Sequence, residues 1–544
     1  MGDSFELLLC AENLFQANLM VAKLSLISLV MMLSFTACAA QKPDDSRPRR
    51  VGETQTAGNV IAVKSGDNLQ RAIDGAKFGD TITLEAGATF TGGLTLPYKG
   101  AGTNTEADYI TIRASDLSKL PADGHRIQPA KHAAAMPKIL APRGGSAIGT
   151  AAQAHHYKFI GIEFAPAPDA DYVYNVIWLG SDDYKTLSQF PHHLVFDRCY
   201  VRSTGLGKAR RGVAVNDGET WIINSHISGF AGPGDETQAI CGWAGPGPFH
   251  IINNYIEGAG QNIFFGGADP TVKDVVPSDI EIRGNYIYKP AEWFGRVTVK
   301  ATFEMKNVRR LKVDGNLIES GRASAFSLVV GNQGGTAPWS TIEDVEIVNN
   351  IIRHAGTGFN ILGRDTTKPS QQGKRILIAN NLVLDVGTDY SGFFLQSTAA
   401  DSVTAEHNTI QHTGNVIVLY AEPTTNLVFR NNIVQNNQYG VVCEGGAKVC
   451  FKPAAFRGNI IIDNKGSAAG GYPLDRNYPP GNYFTTSFDN VKFVDYTKNQ
   501  WKLAADSRYK GKATDGKDPG VDFQNFPISE ESVRSGEPVN QPAQ

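Results

Sequence analysis

The sequence predicts an all-β protein: a right-handed parallel β-helix with three strands per coil, about ten or more coils and an N-terminal capping helix. A short motif restarts along the chain, as "NNYIE" at 253, "GNYIY" at 284, "NNIIR" at 349 and "NNIVQ" at 431, and restarts between residues 197 and 458 lie 24 to 34 residues apart. Internal periods of this size are typical of stacked repeats. Alternating apolar and polar stretches such as "DIEIR" and "FSLVV" flank the restarts, which indicates strands with one buried face.

The recurring asparagines are interpreted as architecture. No repeat carries a long apolar stripe at helical spacing, which excludes a helical solenoid. Asparagine at a bend can adopt a left-handed backbone and hydrogen-bond to the coils above and below. The restarts therefore predict an asparagine ladder.

Charge excludes some classes of partner. The chain has 51 basic and 54 acidic residues, a formal net charge of −3. Nothing in this balance indicates a surface for nucleic acid or for an anionic membrane. We expect a monomer with no nucleic-acid partner.

The N-terminus predicts export. Residues 1–37 have the pattern of a targeting segment, with Met20 as an alternative start, Lys23 as the charged residue and an apolar stretch at 24–35 that is short for a membrane span. "FTAC" resembles the lipobox of bacterial lipoproteins, so Cys38 is the expected lipidation site and the only membrane anchor. Ordinary cleavage near Ala40 is the alternative. The location would be the periplasm or the cell surface, with residues 38–59 as a flexible tether.

Residues 60–96 are expected to form the N-terminal cap and first strands. There Asp67 is placed to cap a short helix whose apolar face holds Leu69, Ile73 and Ala76. Coils follow at 97–474, a C-terminal cap at 475–528 and a disordered tail at 529–544. Cys443 and Cys450 bracket a loop short enough for a disulfide, and two unlinked thiols are the alternative.

The capping helix, the asparagine ladder and the ending "DGKDPGVDF" resemble secreted bacterial right-handed β-helix proteins of the pectate-lyase-like superfamily. The resemblance runs from about residue 60 to residue 526. It implies the fold. It leaves the activity open, because that superfamily contains lyases, hydrolases, epimerases, phage tailspikes and adhesins.

Glu304, Lys306 and Arg364 are the candidate catalytic residues. They lie on or just after third strands, whose outward side chains would line a groove for a linear polymer. β-Elimination from a uronic-acid polymer needs a base, an acid and a group that neutralises the carboxylate. The arrangement resembles the chondroitinase B and alginate lyase family, which implies Lys306 as base and Arg364 as its electrostatic partner. The next coil, "AFSLVVGNQ", has no arginine where that family has one, so Arg364 would act from one coil further. A solvated Glu304–Lys306 ion pair is the alternative.

Candidate substrate-binding residues are aromatic rings, which stack on sugars, and polar side chains of the same groove. They are Trp243, Trp339, Asn360, Gln396 and Asp365. Trp339 could instead simply pack its loop onto the coil.

A second candidate cluster is His354, Asp385 and His412, at equivalent positions on successive coils. A carboxylate between two imidazoles could bind a metal or tune a base, and a solvated polar ladder is the alternative. Glu319 above Arg353 is expected to be a cross-coil ion pair.

Calcium is the one cofactor considered, with Asp217, Glu219 and Asp269 as its ligands. Together these features predict a secreted lyase that cleaves an acidic polysaccharide. The alternatives are a glycoside hydrolase using Asp269, Glu304 and Asp365, and a surface protein that binds glycan without cleaving it.

Overall fold

The computed structural model describes residues 58–387, 392–464 and 474–538 of the 544-residue chain. Three long parallel sheets, named A, B and C, contain 14, 14 and 12 strands. Each strand pairs with its equivalents in the coils before and after it, and the chain visits the sheets in the order A, B, C. The predicted β-helix with three strands per coil is confirmed.

Sheet A holds the strand that precedes each asparagine motif. Its strands are β1 (Val60–Val63), β2 (Thr81–Leu84), β5 (Ile110–Ala114), β8 (His155–Ile160), β11 (His192–Asp197), β14 (Thr220–Ile223), β17 (Phe249–Ile252), β20 (Ser278–Arg283), β23 (Val308–Asp314), β26 (Ile342–Val348), β29 (Lys374–Ala379), β32 (Asp401–Glu406), β35 (Val428–Arg430) and β38 (Phe456–Arg457).

Sheet B holds the strand that follows the motif. Its strands are β3 (Thr89–Thr91), β6 (Lys138–Ala141), β9 (Glu163–Pro166), β12 (Tyr200–Arg202), β15 (His226–Phe230), β18 (Tyr255–Gly258), β21 (Tyr286–Tyr288), β24 (Leu317–Glu319), β27 (Ile351–Ala355), β30 (Leu382–Val386), β33 (Thr409–His412), β36 (Ile433–Gln435), β39 (Ile460–Ile462) and β40 (Tyr483–Thr485).

Sheet C holds the third strand of each coil. Its strands are β4 (Leu94–Leu96), β7 (Ile148–Thr150), β10 (Val173–Gly180), β13 (Ala209–Asn216), β16 (Gln238–Gly242), β19 (Gln261–Phe265), β22 (Phe303–Met305), β25 (Ser324–Val329), β28 (Thr357–Leu362), β31 (Phe393–Thr398), β34 (Asn415–Leu419) and β37 (Val441–Val442).

A short antiparallel pair and a few short helices complete the described chain. They are β41 (Phe493–Asp495), β42 (Gln500–Leu503), α1 (Leu69–Gly75), α2 (Pro129–His132), α3 (Ala447–Cys450), α4 (Phe488–Val491), α5 (Glu530–Ser535), and 3₁₀ turns at Glu106–Asp108, Leu117–Lys119, Ala133–Ala135, Leu187–Gln189, Ala291–Trp293, Leu474–Arg476 and Tyr496–Lys498.

Inward side chains of the three sheets form one continuous core along the helix. Equivalent residues stack from coil to coil, so the rings of Phe303 and Phe326 lie 4.5 Å apart and those of Phe326 and Phe359 lie 4.9 Å apart. This repetition follows from parallel in-register pairing, which places side chains ~4.8 Å apart along the axis.

The asparagine ladder forms, and each step of it uses two neighbouring residues: the first has a left-handed backbone and the second makes the hydrogen bonds. Asn350 is fully buried; its amide donates to Asn381, and its oxygen accepts from Asn316. The residue just before each rung has the left-handed backbone, such as Asn349 at φ 58° and Gly315 at φ 62°. The motif therefore begins with Gly or Asn because of φ, and its second asparagine provides the hydrogen bonds.

The N-terminal cap forms as predicted except at its first residue. Leu69, Ile73 and Ala76 are buried against the core. The N-cap is Asn68, whose side chain accepts from the Arg71 amide. Asp67 instead accepts from the Lys64 amide, since it lies one residue too early to reach the first helical turn.

The C-terminal segment covers the outer face of sheet B. Side chains that follow the ladder point outward and are nevertheless apolar and buried, such as Leu317, Ile351 and Leu382. They pack against residues of the C-terminal segment, such as Trp501 and Val533. Two apolar residues in a row after each asparagine, as in "NLIE" and "NIIR", are the sequence signal of this cover.

The expectation of a disordered tail is wrong for residues 529–538. This stretch contains α5, which is capped by Ser529 and buries Val533. The expected Glu319–Arg353 ion pair is also replaced: Glu319 binds Arg534 and Arg353 binds Glu530, each at 2.6 Å. Two ion pairs, Glu319–Arg534 and Arg353–Glu530, therefore join sheet B to α5 and hold residues 529–538 against the sheet.

A disulfide joins Cys443 and Cys450. The targeting segment, Cys38 and most of the tether lie outside the described residues. Within the described ranges, no helix combines the length and the hydropathy needed to cross a membrane.

Candidate functional site

The outer face of sheet C carries one column of side chains that changes character along the axis. Parallel register aligns the column residue by residue. The aligned residues are Trp178, Ala214, Cys241, Phe264, Glu304, Ser327, Asn360 and Gln396. The N-terminal half is thus aromatic and small, and the C-terminal half is polar. Glu304, Asn360 and Gln396, which the sequence analysis placed in one groove, are aligned on this face.

An aromatic cavity of about 230 Å³ lies on the N-terminal half of this face. Tyr174, Trp178, Trp243 and Phe264 line it, together with Arg211, Asp182, Cys241 and the turn 266–268. The two tryptophan rings meet edge to face at 5.8 Å. Ring walls of this kind suit the apolar faces of sugars.

Arg211 is the cation of the cavity. Its guanidinium lies 4.9 Å from the ring centres of both Tyr174 and Trp243, and its Nε donates to Gln238 Oε1 at 3.0 Å. Within the described chain, no acidic side chain forms a salt bridge with it. Its Nη1 also donates to Asn175 Oδ1, at 3.5 Å. A guanidinium held by rings and neutral amides keeps donors available for a carboxylate.

A chain of hydrogen bonds connects Arg211 to the predicted catalytic residues. Gln238 donates to Gln261 at 2.9 Å, and Gln261 donates to both Glu304 and Glu236 at 2.6 Å. Gln238 and Gln261 are buried, so their amides are fixed in orientation. Glu304 and the cavity therefore belong to one polar network.

Lys306 stands at the rim of the cavity. Its ammonium lies 3.4 Å from Glu304 Oε1 and 5.8 Å from the ring centre of Phe264. Its side chain passes between two glycines: a Cβ on Gly266 would meet Lys306 Cβ at 2.7 Å, and one on Gly331 would lie 3.5 Å away. Glycine on both neighbouring coils leaves room for the lysine on this face.

Arg364 is directed away from Lys306. Its nearest acidic partner is Glu422, at 3.7 Å and further toward the C-terminus. The second cation near Lys306 is Lys368. Both ammonium groups donate to Gln333: Lys306 to its side-chain carbonyl and Lys368 to its backbone carbonyl. The structure thus brings together Glu304 and Lys306 but not the full predicted trio.

The predicted substrate-binding residues divide into two groups. Trp243 lines the cavity, and Asn360 and Gln396 face outward and share a hydrogen bond of 3.1 Å. Trp339 donates to the Val275 carbonyl and packs its loop against the neighbouring one.

Asp365 organises its own loop. Its oxygens accept backbone N–H bonds from Asn332, Thr367 and Lys368. Burial opposes ionisation, yet these hydrogen bonds lower the pKa of Asp365 below its ordinary value.

The three predicted calcium ligands do not form one site. Asp217 is fully buried and accepts from Thr220, and burial raises its pKa to about 7. Glu219 is held by Trp221 and by His193, and Asp269 by Thr336 of another loop. A calcium ion requires ionised oxygens that converge on one point, which this arrangement does not provide.

The second cluster forms only in part. His354 and Asp385 pair at 2.7 Å on the surface. His412 does not join them, because a register shift aligns it with Val386 and turns it inward. It is buried, contacts the Gln435 carbonyl at 2.8 Å, and burial lowers its pKa to about 4.

Sequence reasoning missed Tyr174, Trp178 and Arg211. Their strands β10 and β13 are eight residues long and end in glycine or asparagine. Asn216, the last residue of β13, is buried and accepts backbone N–H bonds from the following coil. Simple alternation does not reveal Arg211, because it lies two residues before Val213, which belongs to the core.

Comparisons with known proteins agree with the architecture. The family model described as a right handed beta helix region matches residues 301–477. Three long parallel sheets and this match define a right-handed parallel β-helix protein, and the predicted resemblance is confirmed at the level of the fold. No curated protein matches the sequence.

Solved structures that are similar share low identity with this chain. The PL6 family alginate lyase AlyGC is 12% identical with a TM-score of 0.40; the match covers 89% of this chain and 59% of that one, so this chain spans about three fifths of AlyGC. A PL6 family polysaccharide lyase from Pseudopedobacter saltans is 12% identical over 89% and 100% of the two chains, with a TM-score of 0.39. XylC, solved with xylose, is 10% identical over 79% and 86%, with a TM-score of 0.41.

Proposed function

We propose that the protein binds an acidic, uronic-acid-containing polysaccharide along the outer face of sheet C and cleaves it by β-elimination. One observation supports this most: the aromatic cavity, Arg211 with its hydrogen bonds to neutral amides, and the Glu304–Lys306 pair lie along one face. Aromatic walls suit sugar rings, and the free cation suits a carboxylate. A neutral glycan would offer Arg211 no group of opposite charge.

Arg211 would hold a sugar unit other than the one that reacts. Its strand β13 is three coils from β22, which precedes Lys306. At ~4.8 Å per coil this is ~14 Å along the axis. The guanidinium is thus a binding group that orients the polymer toward Lys306.

Lys306 would remove the C5 proton of the reacting uronate. The electron pair left at C5 then forms the C4–C5 double bond and expels the glycosidic oxygen, which takes a proton from solvent or from an acidic side chain. Lys368 is near enough through Gln333 to favour negative charge on the reacting sugar. Calcium would have to be held by ligands other than Asp217, Glu219 and Asp269 as they now lie.

Binding without cleavage is the second candidate. The observation that favours it is the pairing of Arg364 with Glu422, which leaves Lys306 without the arginine that the sequence analysis assigned to it. Export, lipidation at Cys38 and a monomeric state belong to either version of the proposal.

Incubation with alginate, chondroitin sulfate and polygalacturonate, with a neutral glucan as control, tests the proposal. Elimination yields a 4,5-unsaturated sugar that absorbs in the ultraviolet, and we expect that absorbance with one of the acidic glycans. Reducing ends without absorbance would mean hydrolysis and direct attention to Asp269, Glu304 and Asp365. Binding with neither product would leave only the second candidate, and no binding would overturn both.

A further inference from the structure

Two histidine pairs stack on each other at the first residues of two neighbouring strands of sheet A, β8 and β11. His155 and His156 open β8, His192 and His193 open β11, and His155 is the register partner of His192. Rings of the first histidines stack at 4.8 Å and those of the second histidines at 4.3 Å. Within each pair the two Nδ1 atoms lie 2.6 Å apart. Four imidazoles thus form one compact cluster.

A left-handed backbone makes this cluster possible. Successive side chains of a strand normally point to opposite faces. His156 and His193 have φ of 59° and 55°, which breaks the alternation and brings each ring beside that of the preceding histidine. Later coils use the same position for oppositely charged residues, namely Asp279, Arg310, Asp344 and Arg375.

Hydrogen bonding fixes where the protons of the first pair lie. The Gly100 carbonyl can only accept, so His155 Nε2, at 2.7 Å, carries a hydrogen. A neutral ring then has a bare Nδ1, and the short Nδ1–Nδ1 contact requires the hydrogen on His156 Nδ1. His156 Nε2 is consequently a bare lone pair; it is buried, and within the described chain it has no hydrogen-bond partner.

We propose that His155, His156 and His192 bind one transition-metal ion of the zinc, copper or nickel class. Each residue places a ring nitrogen within 4.8 Å of the other two. Nitrogens around tetrahedral zinc, with bonds of ~2.1 Å, lie ~3.4 Å apart, so binding requires the rings to turn and the Nδ1–Nδ1 hydrogen bond of the first pair to break. Neutral imidazole selects these metals over calcium and magnesium, which prefer oxygen.

Glu219 supports the site from the next coil. It follows His193 in the same column, and its Oε2 lies 3.2 Å from His193 Nδ1. His193 Nδ1 in turn contacts His192 Nδ1. A carboxylate that orients a histidine beside a metal is a common outer-shell arrangement. Bound metal would join two neighbouring coils near the N-terminal cap.

Titration of the full chain, prepared without a histidine tag and stripped of metal by a chelator, tests the site. Co²⁺ serves as a visible probe, Zn²⁺ as its competitor, and circular dichroism verifies that each variant is folded. We expect one equivalent of Co²⁺ with tetrahedral absorption, displacement by Zn²⁺, and no competition by Ca²⁺. His156→Gln and, as a second and more exposed variant, His192→Gln should weaken binding at least ~10-fold.

His354→Gln is the matched control, since it removes a surface histidine paired with Asp385, and it should leave binding unchanged. Absence of saturable binding in the wild type would overturn the proposal. So would binding that is unaffected by His156→Gln and His192→Gln in folded protein, or binding that depends on His354. None of these readouts uses a glycan, so they are independent of the proposed function.

Discussion

Lys306 and Glu304 form an ion pair of 3.4 Å at the rim of an aromatic cavity. The two residues are separated by one inward side chain, Met305, which is buried in the core. Glu304 lies in β22, and Lys306 directly follows this strand with its backbone still hydrogen-bonded to both neighbouring coils, which positions both groups better than a loop would. Gln261 fixes the second oxygen of Glu304 at 2.6 Å.

Arg211→Ala should weaken binding of an acidic glycan by about 10-fold or more, because a hydrogen bond to a charged group contributes about 1.5–3 kcal/mol. Arg211→Lys should recover only part of the loss, since lysine lacks the planar fork. Calorimetric titration with an oligouronate measures both. Arg430→Ala is the control, because Arg430 pairs with Glu406 on sheet A. Equal affinity of Arg211→Ala and wild type would rule out this carboxylate contact.

Removing one rung of the ladder should destabilise the whole helix. Asn350→Ala removes the hydrogen bonds that this side chain makes with the carbonyls of Val313 and Val348 and with the backbone amide of Asn316, a loss of about 3 kcal/mol or more. Asn360→Ala removes an outward amide of the same size and should cost about 1 kcal/mol or less. Urea unfolding followed by circular dichroism compares them, and similar midpoints would argue against the ladder as a major source of stability.

Docking of α5 should depend on Glu530 and on pH. Burial opposes ionisation of Glu530, but hydrogen bonds and charge from Arg534 and Arg353 dominate and lower its pKa below the ordinary 4.5. A lowered pKa of an acid stabilises the docked helix above pH 4.5, and this stabilisation is lost as pH falls through the lowered value.

Glu530→Gln should therefore raise hydrogen exchange in residues 529–538 about 2- to 5-fold at pH 6, as expected for a partly exposed ion pair. At pH 3 the variant and the wild type should converge once intrinsic rates are corrected. Glu531→Gln changes an exposed neighbour and should have no effect. A difference that persists at pH 3 would mean that the ion pairs do not hold the helix.

The fold was predictable because each coil of a β-helix repeats the same short sequence motif. Gly-Asn or Asn-Asn opens every repeat from 253 to 458 except the one at His407-Asn408, and each of these pairs places a left-handed residue before a buried amide. The apolar cover of sheet B was missed, although Leu317 and Ile351 stand where a solvated strand would have polar residues. A pattern that repeats along a chain indicates a surface to be buried, but it does not say which segment buries it.

The site was predictable only where strand alternation was unbroken. Glu304, Asn360 and Gln396 align as expected because their strands are regular. His412 was misplaced by a register shift, and His156 lies beside His155 only because its φ is positive. Such local departures from the period of two change which face a side chain occupies, and the sequence does not mark them.

The cleavage rate of the Lys306→Ala variant tests most directly the central claim that Lys306 is the base of a β-elimination. The variant deletes a partly exposed side chain, so stability should change by no more than about 0.5 kcal/mol, while loss of a proton-transfer group should lower the rate about 10²- to 10⁴-fold. Lys312→Ala is the matched control, since Lys312 pairs with Asp314 two residues along a strand of sheet A. We predict ultraviolet absorbance growth on an acidic glycan with wild type and Lys312→Ala and its loss with Lys306→Ala; equal rates in all three proteins would contradict the account.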